Sequence, residues 1–209
     1  MRAGEHQVVV IGAGGHARPV VEALLLLGHR IAGLVDDAPD RPPVLGQPVI
    51  GGLDRLAALR AAGIGSAVIA IGDNAARLQL GDQARGFGFV LPTLVHPGAL
   101  VSPHASLAEG AQVFARAVVG PEARIGRLCL VNTGAIVEHE CTVDEGTHIA
   151  PGAVLCGLVR VGARCLVGAG STTIAGRRIG PGALIAAGAT VTADVAAGAR
   201  VGGVPAREM

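Results

Sequence analysis

The chain has no tryptophan and no tyrosine, and only three phenylalanines among its 209 residues. Globular cores usually draw much of their buried area from aromatic rings, so an ordinary core is excluded. Half of the residues are apolar all the same. That combination suits a narrow interior filled by stacked Val, Ile and Leu. An excess of charge is missing too: acids and bases are interspersed and the formal net charge is +1. No basic stripe offers itself to a polyanion, so nucleic acid is not an expected partner. The four cysteines include no CxxC pair, which leaves zinc and redox motifs without support, and no metal is expected. The first residues lack a basic segment followed by a long apolar run and a cleavage site. The longest aliphatic block, Ala23 to Leu27, is far too short to span a bilayer. A soluble cytoplasmic protein, not associated with a membrane, is expected.

What is present is a period. From Val101 onward the chain repeats every six residues, and fifteen of the sixteen first positions from 101 to 191 are Val, Leu or Ile. Thr173 is the exception. The fifth position is mostly Ala, Cys, Ser or Thr, and Cys129, Cys141 and Cys165 fall there as small inward fillers. A fixed short period signals a β-helix, in which no repeat buries its apolar residue alone. The register is expected to run without insertion or deletion. Three hexads make one triangular coil, so side chains three hexads apart stack. Flat stacked faces bury well against copies of themselves, which points to a closed cyclic homo-oligomer.

The first hundred residues lack this period. Gln7 to Ile11 reads as a strand ending in the turn Gly12-Ala13-Gly14-Gly15-His16, with a helix over Pro19 to Leu27 stopped by Gly28. Ile31 to Val35 is a second strand, ending at Asp36-Asp37. A Pro-rich connector runs from Pro39 to Pro48. A helix over Leu53 to Ala62, a strand over Ala67 to Ile71 and a helix over Asn74 to Gly86 complete a small α/β domain. The expected fold class is therefore α/β plus β, a Rossmann-like βαβ domain over 1–92 followed by a parallel β-helix over 93–209.

Gly12, Gly14 and Ala17 fit G-x-G-x-x-G/A between a strand and a helix. Asp36 follows Ala17 at close to the roughly 20-residue distance of a ribose-binding acid. Such a loop lets backbone approach phosphate at a helix N-terminus. A dinucleotide and a nucleotide-diphosphate ligand both suit it. The α/β region ends after about three strands and carries no recognisable hydride-transfer acid or base, which argues against a nicotinamide enzyme. His16 and Arg18 flank the loop as further donors.

One hexad departs from the bland outer surface. In Val137-Glu138-His139-Glu140-Cys141, His139 is third and should project outward. A carboxylate beside an imidazole orients it and raises its basicity, as a general base for acyl transfer needs. Three hexads on, Gly157 stacks beside His139, where its N–H is available to a carbonyl oxygen as charge develops. His148 lies half a coil away, on a different side of the triangle. Asn132 is a polar residue in an otherwise small and apolar stretch.

The segments IGAGGHAR, LVDD, IAIGDNAAR, LVHPGALVSPHA, VNTGAIVEHECTVDEGTHIAPGAVLCG and VGGVPAREM follow in order. Together they resemble the bacterial sugar O- and N-acetyltransferases that join a small nucleotide-sugar-binding domain to a left-handed β-helix. That resemblance implies a homotrimer with sites between adjacent β-helices, acetyl-CoA as cosubstrate along the coils and a nucleotide-linked amino sugar as partner. It implies His139 as catalytic base and Glu140 as the residue supporting it. His148 and the Gly157 backbone become acetyl-CoA contacts. Gly14, Gly15, His16, Asp36, Asp37 and Gly72 become nucleotide-sugar contacts, and Asn132 lines the sugar. N-acetylation of a 4-amino-4,6-dideoxy sugar in O-antigen or lipopolysaccharide synthesis is the leading expectation. O-acetylation of a sialic-acid type sugar is the alternative, because amine and hydroxyl ask for the same base. A nucleotide-binding scaffold with an inactive coil is a third reading.

Overall fold

The computed structural model describes residues 7–209, in two compact units that divide between Pro97 and Gly98. The first is built on β1 (Gln7–Ile11), α1 (Ala17–Leu26), β2 (Arg30–Val35), α2 (Leu56–Ala61), β3 (Ser66–Ile69) and α3 (Asn74–Gly86). The three strands form a parallel sheet in the order β2-β1-β3. In the central strand Val8, Val9, Val10 and Ile11 are all buried. An unbroken apolar run is what a parallel strand covered on both faces requires. Helix α1 buries Ala17, Val20, Val21 and Leu24 on one stripe, the spacing of an amphipathic helix.

Three boundaries differ from expectation by two residues or more, each for a local reason. Helix α1 starts at Ala17 instead of Pro19, because the carbonyls of Gly14 and Gly15 already accept from the N–H groups of Ala17 and Arg18. Pro19 sits in the first turn, where a missing N–H costs nothing. The helix expected over Leu53 to Ala62 opens as a 3₁₀ turn, Leu53–Arg55, before α2. Strand β3 stops at Ile69, and Ala70 and Ile71 turn beneath Gly12.

The second unit, Gly98–Met209, is a parallel β-helix of two-residue strands. Its apolar ladder is explicit in the register Val119↔Val137↔Leu155↔Thr173↔Val191, in which each partner lies three hexads on. All five are buried, and the fillers Cys129, Cys141 and Cys165 are buried with them. Burial pushes the Cys141 thiol up to about 11 and raises that of Cys165. Thr173 also points inward, and its hydroxyl is the one buried side-chain polar atom among the described residues with no hydrogen-bond partner.

The period does not run unbroken to the end. Ile179 bridges to Val195 and Ile185 pairs with Val201, each short of the three-hexad spacing. The last coil is therefore two residues short, and the chain closes with an antiparallel pair, Arg200–Gly202 against Arg207–Glu208. Among the described residues no helix is long and apolar enough to cross a membrane.

Candidate active site

The β-helix turns a corner after the strand Ile136–Val137. His139 and Glu140 occupy that corner, with side chains 53% and 48% exposed. Glu140 has a left-handed backbone, φ +58°, a conformation that glycine fills at many other corners of the coil. Holding it swings the carboxylate back, and Oε2 lies 3.1 Å from His139 Nδ1. A carboxylate only accepts, so Nδ1 carries a proton in this contact, and in the neutral tautomer Nε2 keeps its lone pair.

Stacking by three hexads brings Gly157 under the imidazole, as the period implies. A Cβ there would collide with Cε1 and Nε2 of His139, so the ring lies directly on the glycine backbone. Among the described residues the Gly157 N–H has no acceptor. The next amide, Leu158 N–H, donates to the His139 carbonyl at 3.0 Å, which ties the two coils together at this point. With the ring in its neutral tautomer, the corner presents one lone-pair nitrogen and one free amide donor side by side. That is the equipment for taking a proton and for stabilising a nearby oxyanion.

His148 lies on another sheet of the triangle, in the strand His148–Ile149, and within one chain it is not brought to His139. It meets Asn132 instead, with Asn132 Nδ2 3.0 Å from His148 Nε2. Asn132 Oδ1 accepts the Thr133 N–H at 2.8 Å, so the amide faces His148 with its NH2 group and Nε2 is the acceptor. Two residues that the sequence suggested for different ligands form one bonded pair.

In the α/β unit the glycine loop sits over the edge where the parallel strands end. Gly12 has φ +105°, and a Cβ on it would come within 2.8 Å of the Ala70 carbonyl oxygen; only glycine fits. Around Gly14 and Gly15 the space is open, and among the described residues neither N–H has an acceptor. Free amides at the start of helix α1 leave donors of the kind that suit an anion. His16 stands at the helix N-terminus.

Asp36 braces this loop. Its Oδ2 accepts the Ala13 N–H at 2.7 Å, and Oδ1 accepts the Ala38 N–H and Arg41 Nε, both at 2.9 Å. Burial alone would raise its carboxyl, but the bonds from Ala38, Ala13 and Arg41 outweigh it and hold the group below its usual value. Asp37 is exposed and its carboxylate has no partner among the described residues. Both aspartates line a cavity of about 350 Å³, together with Gly12, Val35, Arg41 and Leu53. The Gly72 carbonyl faces inward and accepts from Arg77 Nη1 at 2.8 Å.

Two further residues shape this unit without announcing themselves in the sequence. Arg41 lies in a Pro-rich connector that periodicity treats as a spacer, although its place soon after Asp36 permits an ion pair. Arg77 is fully buried, and its guanidinium also holds Asn74 Oδ1 at 2.7 Å. A helical position gives no signal that an arginine is buried.

The model of the PglD N-terminal domain matches residues 7–84. Perosamine N-acetyltransferase from Caulobacter crescentus, solved with CoA and GDP-perosamine, is 39% identical. That match covers 100% of this chain and 99% of that one, with a TM-score of 0.96. The acetyltransferase domain of PglB from Neisseria gonorrhoeae FA1090, solved with acetyl coenzyme A, is 37% identical over 99% of this chain and 100% of that one, at a TM-score of 0.91. WeeI from Acinetobacter baumannii AYE shares the fold at 23% identity, covering 98% and 100% with a TM-score of 0.83. No curated protein matches. Whole-chain identity at this level, with the α/β unit and the coil in the same order, places the chain in the family of sugar acetyltransferases with a PglD-type N-terminal domain and a left-handed β-helix.

Proposed function

We infer that the protein transfers the acetyl group of acetyl-CoA to the amine of a nucleotide-linked amino sugar. The observation that carries this reading is the His139 imidazole, oriented by Glu140 at 3.1 Å and seated on Gly157. It occurs in a chain 39% identical along its whole length to a perosamine N-acetyltransferase.

In the proposed step the amine lone pair attacks the thioester carbonyl. His139 Nε2 takes a proton from the nitrogen, while the Glu140 carboxylate keeps Nδ1–H in place and steadies the imidazolium. The oxyanion of the tetrahedral intermediate accepts the Gly157 N–H. Collapse reforms the carbonyl, breaks the C–S bond and releases CoA, whose thiolate recovers a proton from His139. No metal takes part in these steps.

The nucleotide diphosphate is assigned to the free amides of Gly14 and Gly15, with His16 at the helix start. The base and ribose are assigned to the cavity bordered by Asp36, Asp37, Arg41 and Ile71, with Gly72 following Ile71 in the chain. The bonded pair Asn132–His148 is assigned to the wall of the acetyl-transfer site, lining sugar and acetyl-CoA, supplied by a neighbouring copy. Two faces of the β-helix support such a copy. Their outward rows include Leu100, Val118, Ile136 and Val154 on one, and Leu166 and Leu184 on the other. Apolar rows of this kind fit a closed homotrimer. A 4-amino-4,6-dideoxy sugar used in glycan synthesis, made in the cytoplasm, fits the same reading.

The test is a panel of UDP-, dTDP- and GDP-linked sugars bearing either a 4-amino or a 4-hydroxy group, with thiol release from acetyl-CoA followed for each. Turnover is expected with an amino sugar. Turnover confined to hydroxyl acceptors contradicts the reading.

A further inference from the structure

Among the described residues Arg77 is the only arginine, lysine or acid that is buried, at 0% exposure. An interior charge is costly unless hydrogen bonds meet it, and an apolar side chain of similar volume often serves stability as well or better. The bonds that meet this one are local. Arg77 Nη1 donates to the carbonyls of Gly72 at 2.8 Å and Ile71 at 3.2 Å, and Nη2 donates to Asn74 Oδ1 at 2.7 Å. A single planar guanidinium fork thus gathers acceptors from the segment 71–74, where the chain leaves β3 and enters α3.

Each carbonyl bond fixes the plane of a peptide. In a planar trans peptide the C=O and the N–H point in opposite directions. With the Ile71 and Gly72 carbonyls turned to the buried guanidinium, the N–H groups of Gly72 and Asp73 point away from it. Among the described residues neither N–H has an acceptor. A Cβ on Gly72 would meet nothing within 4 Å, so the space beside the turn is open. Ile71 lines the cavity that Asp36 and Asp37 border, and its Cδ1 lies 2.6 Å from where a Cβ of Gly12 would stand. The turn is therefore a rim of that cavity, packed against the glycine loop. Opposite charges hold the two rims. The Asp36 carboxylate gathers the N–H groups of Ala13 and Ala38, and the Arg77 guanidinium gathers the carbonyls of Ile71 and Gly72.

We propose that Arg77 is a positioning residue for the nucleotide sugar: it holds the turn so that the Gly72 and Asp73 amides face acceptor oxygens of the nucleotide. It touches neither the substrate nor the reacting atoms. This rests on the reading above that assigns the nucleotide to the α/β unit. Amide donors at the start of a helix suit an oxygen that carries negative charge. The planar fork of an arginine reaches both carbonyls and Asn74 Oδ1 together, whereas a lysine ammonium is a point charge on a flexible stem and holds the turn less firmly. A methionine fills the space and donates nothing. The two carbonyls then turn toward water, and the amides of the same peptides turn with them.

The experiment compares Arg77→Met and Arg77→Lys with the unmodified full-length protein. Arg77→Met should raise the KM for the nucleotide sugar roughly tenfold, the scale of one charge-assisted hydrogen bond, while kcat and the KM for acetyl-CoA hold. Arg77→Lys should raise it about threefold, a partial rescue by the retained charge. A side chain that only stabilised the fold would lower Tm and leave these constants unchanged in the folded protein. Hydrogen exchange adds a readout that needs no ligand. The N–H groups of Ala70 and Ala76, bonded to the Ile11 carbonyl and to Asp73 Oδ1 on either side of the turn, should exchange faster in both variants. Melting curves establish which variants are folded, and Arg77→Lys decides both readouts if Arg77→Met is not. A nucleotide-sugar KM within about twofold of the unmodified value in the folded variants overturns the proposal, as does a fall in kcat alone. Failure of the unmodified protein to bind GDP, UDP or dTDP by calorimetry contradicts the nucleotide reading. Unchanged exchange at Ala70 and Ala76 overturns the role of Arg77 whatever nucleotide binds.

Discussion

The corner at His139 and the loop at Gly12–His16 are built by opposite means. At the corner every neighbour follows from counting: three hexads take His139 to Gly157 and Val137 to Leu155. In the loop nothing is periodic. Its shape depends on Asp36, distant in sequence from Ala13, whose N–H its carboxylate accepts, and on the contact of Gly12 with Ala70. A repeat positions side chains by backbone registry alone. A loop needs side chains from elsewhere to hold it. Damage at the corner should therefore act on chemistry, and damage at the loop on binding.

The largest effect that sharpens this contrast is Gly157→Ala. The added methyl collides with the imidazole and shifts it, and misplacement on the order of 1 Å costs about 100-fold. Steady-state kinetics should show kcat falling by that order, with the KM for the nucleotide sugar little changed. A kcat within a few-fold of the unmodified protein breaks the claim that His139 works from this seat. Next is Glu140→Gln, which keeps the shape and removes the charge; kcat should fall roughly tenfold, again without loss of nucleotide-sugar binding.

Asp36→Asn tests the other side. The loop loses the charge that holds the Ala13 and Ala38 amides and Arg41, so the KM for the nucleotide sugar should rise several-fold while kcat and the KM for acetyl-CoA hold. Its pH dependence has a definite sign. The Asp36 carboxyl is depressed in the fold relative to the ordinary 3.8, so its stabilisation is complete above that value and is lost as pH falls through the lower folded value. Acid unfolding of Asp36→Asn should show less pH sensitivity in that window, and identical acid profiles contradict the brace. The smallest effect is Thr173→Val. Removing a buried hydroxyl without a partner should stabilise the coil by about 1 kcal/mol, a rise in Tm of roughly 2–4 °C, with no change in kinetics. A lower Tm would mean that the hydroxyl is satisfied in solution.

The same contrast explains how much of the molecule is legible in its sequence. The ladder of Val119, Val137, Leu155 and Val191, the outward His139 and the stacked Gly157 follow from the period, because registry in a β-helix is covalent spacing made spatial. The shortening before Val195 is illegible, since Val191-Thr192-Ala193-Asp194-Val195-Ala196 still reads as a full hexad. The Asn132–His148 bond is hidden because the period compares residues three hexads apart, while these two fall short of that spacing and meet through long side chains. In the α/β unit the strands, the glycine turn and helix α3 are legible from apolar runs and punctuation. Arg41 and Arg77 are not, because neither a loop ion pair nor the burial of a cation leaves a pattern in hydropathy.

The central claim is that His139 Nε2 removes the proton during acetyl transfer. Its most direct test is single-turnover transfer from acetyl-CoA to the preferred nucleotide-linked amino sugar by His139→Ala, with CoA binding measured on the same preparation. A positioned base contributes about 100-fold or more, so the rate should drop by at least that factor while CoA still binds. A folded, CoA-binding variant that transfers acetyl within tenfold of the unmodified protein contradicts the account.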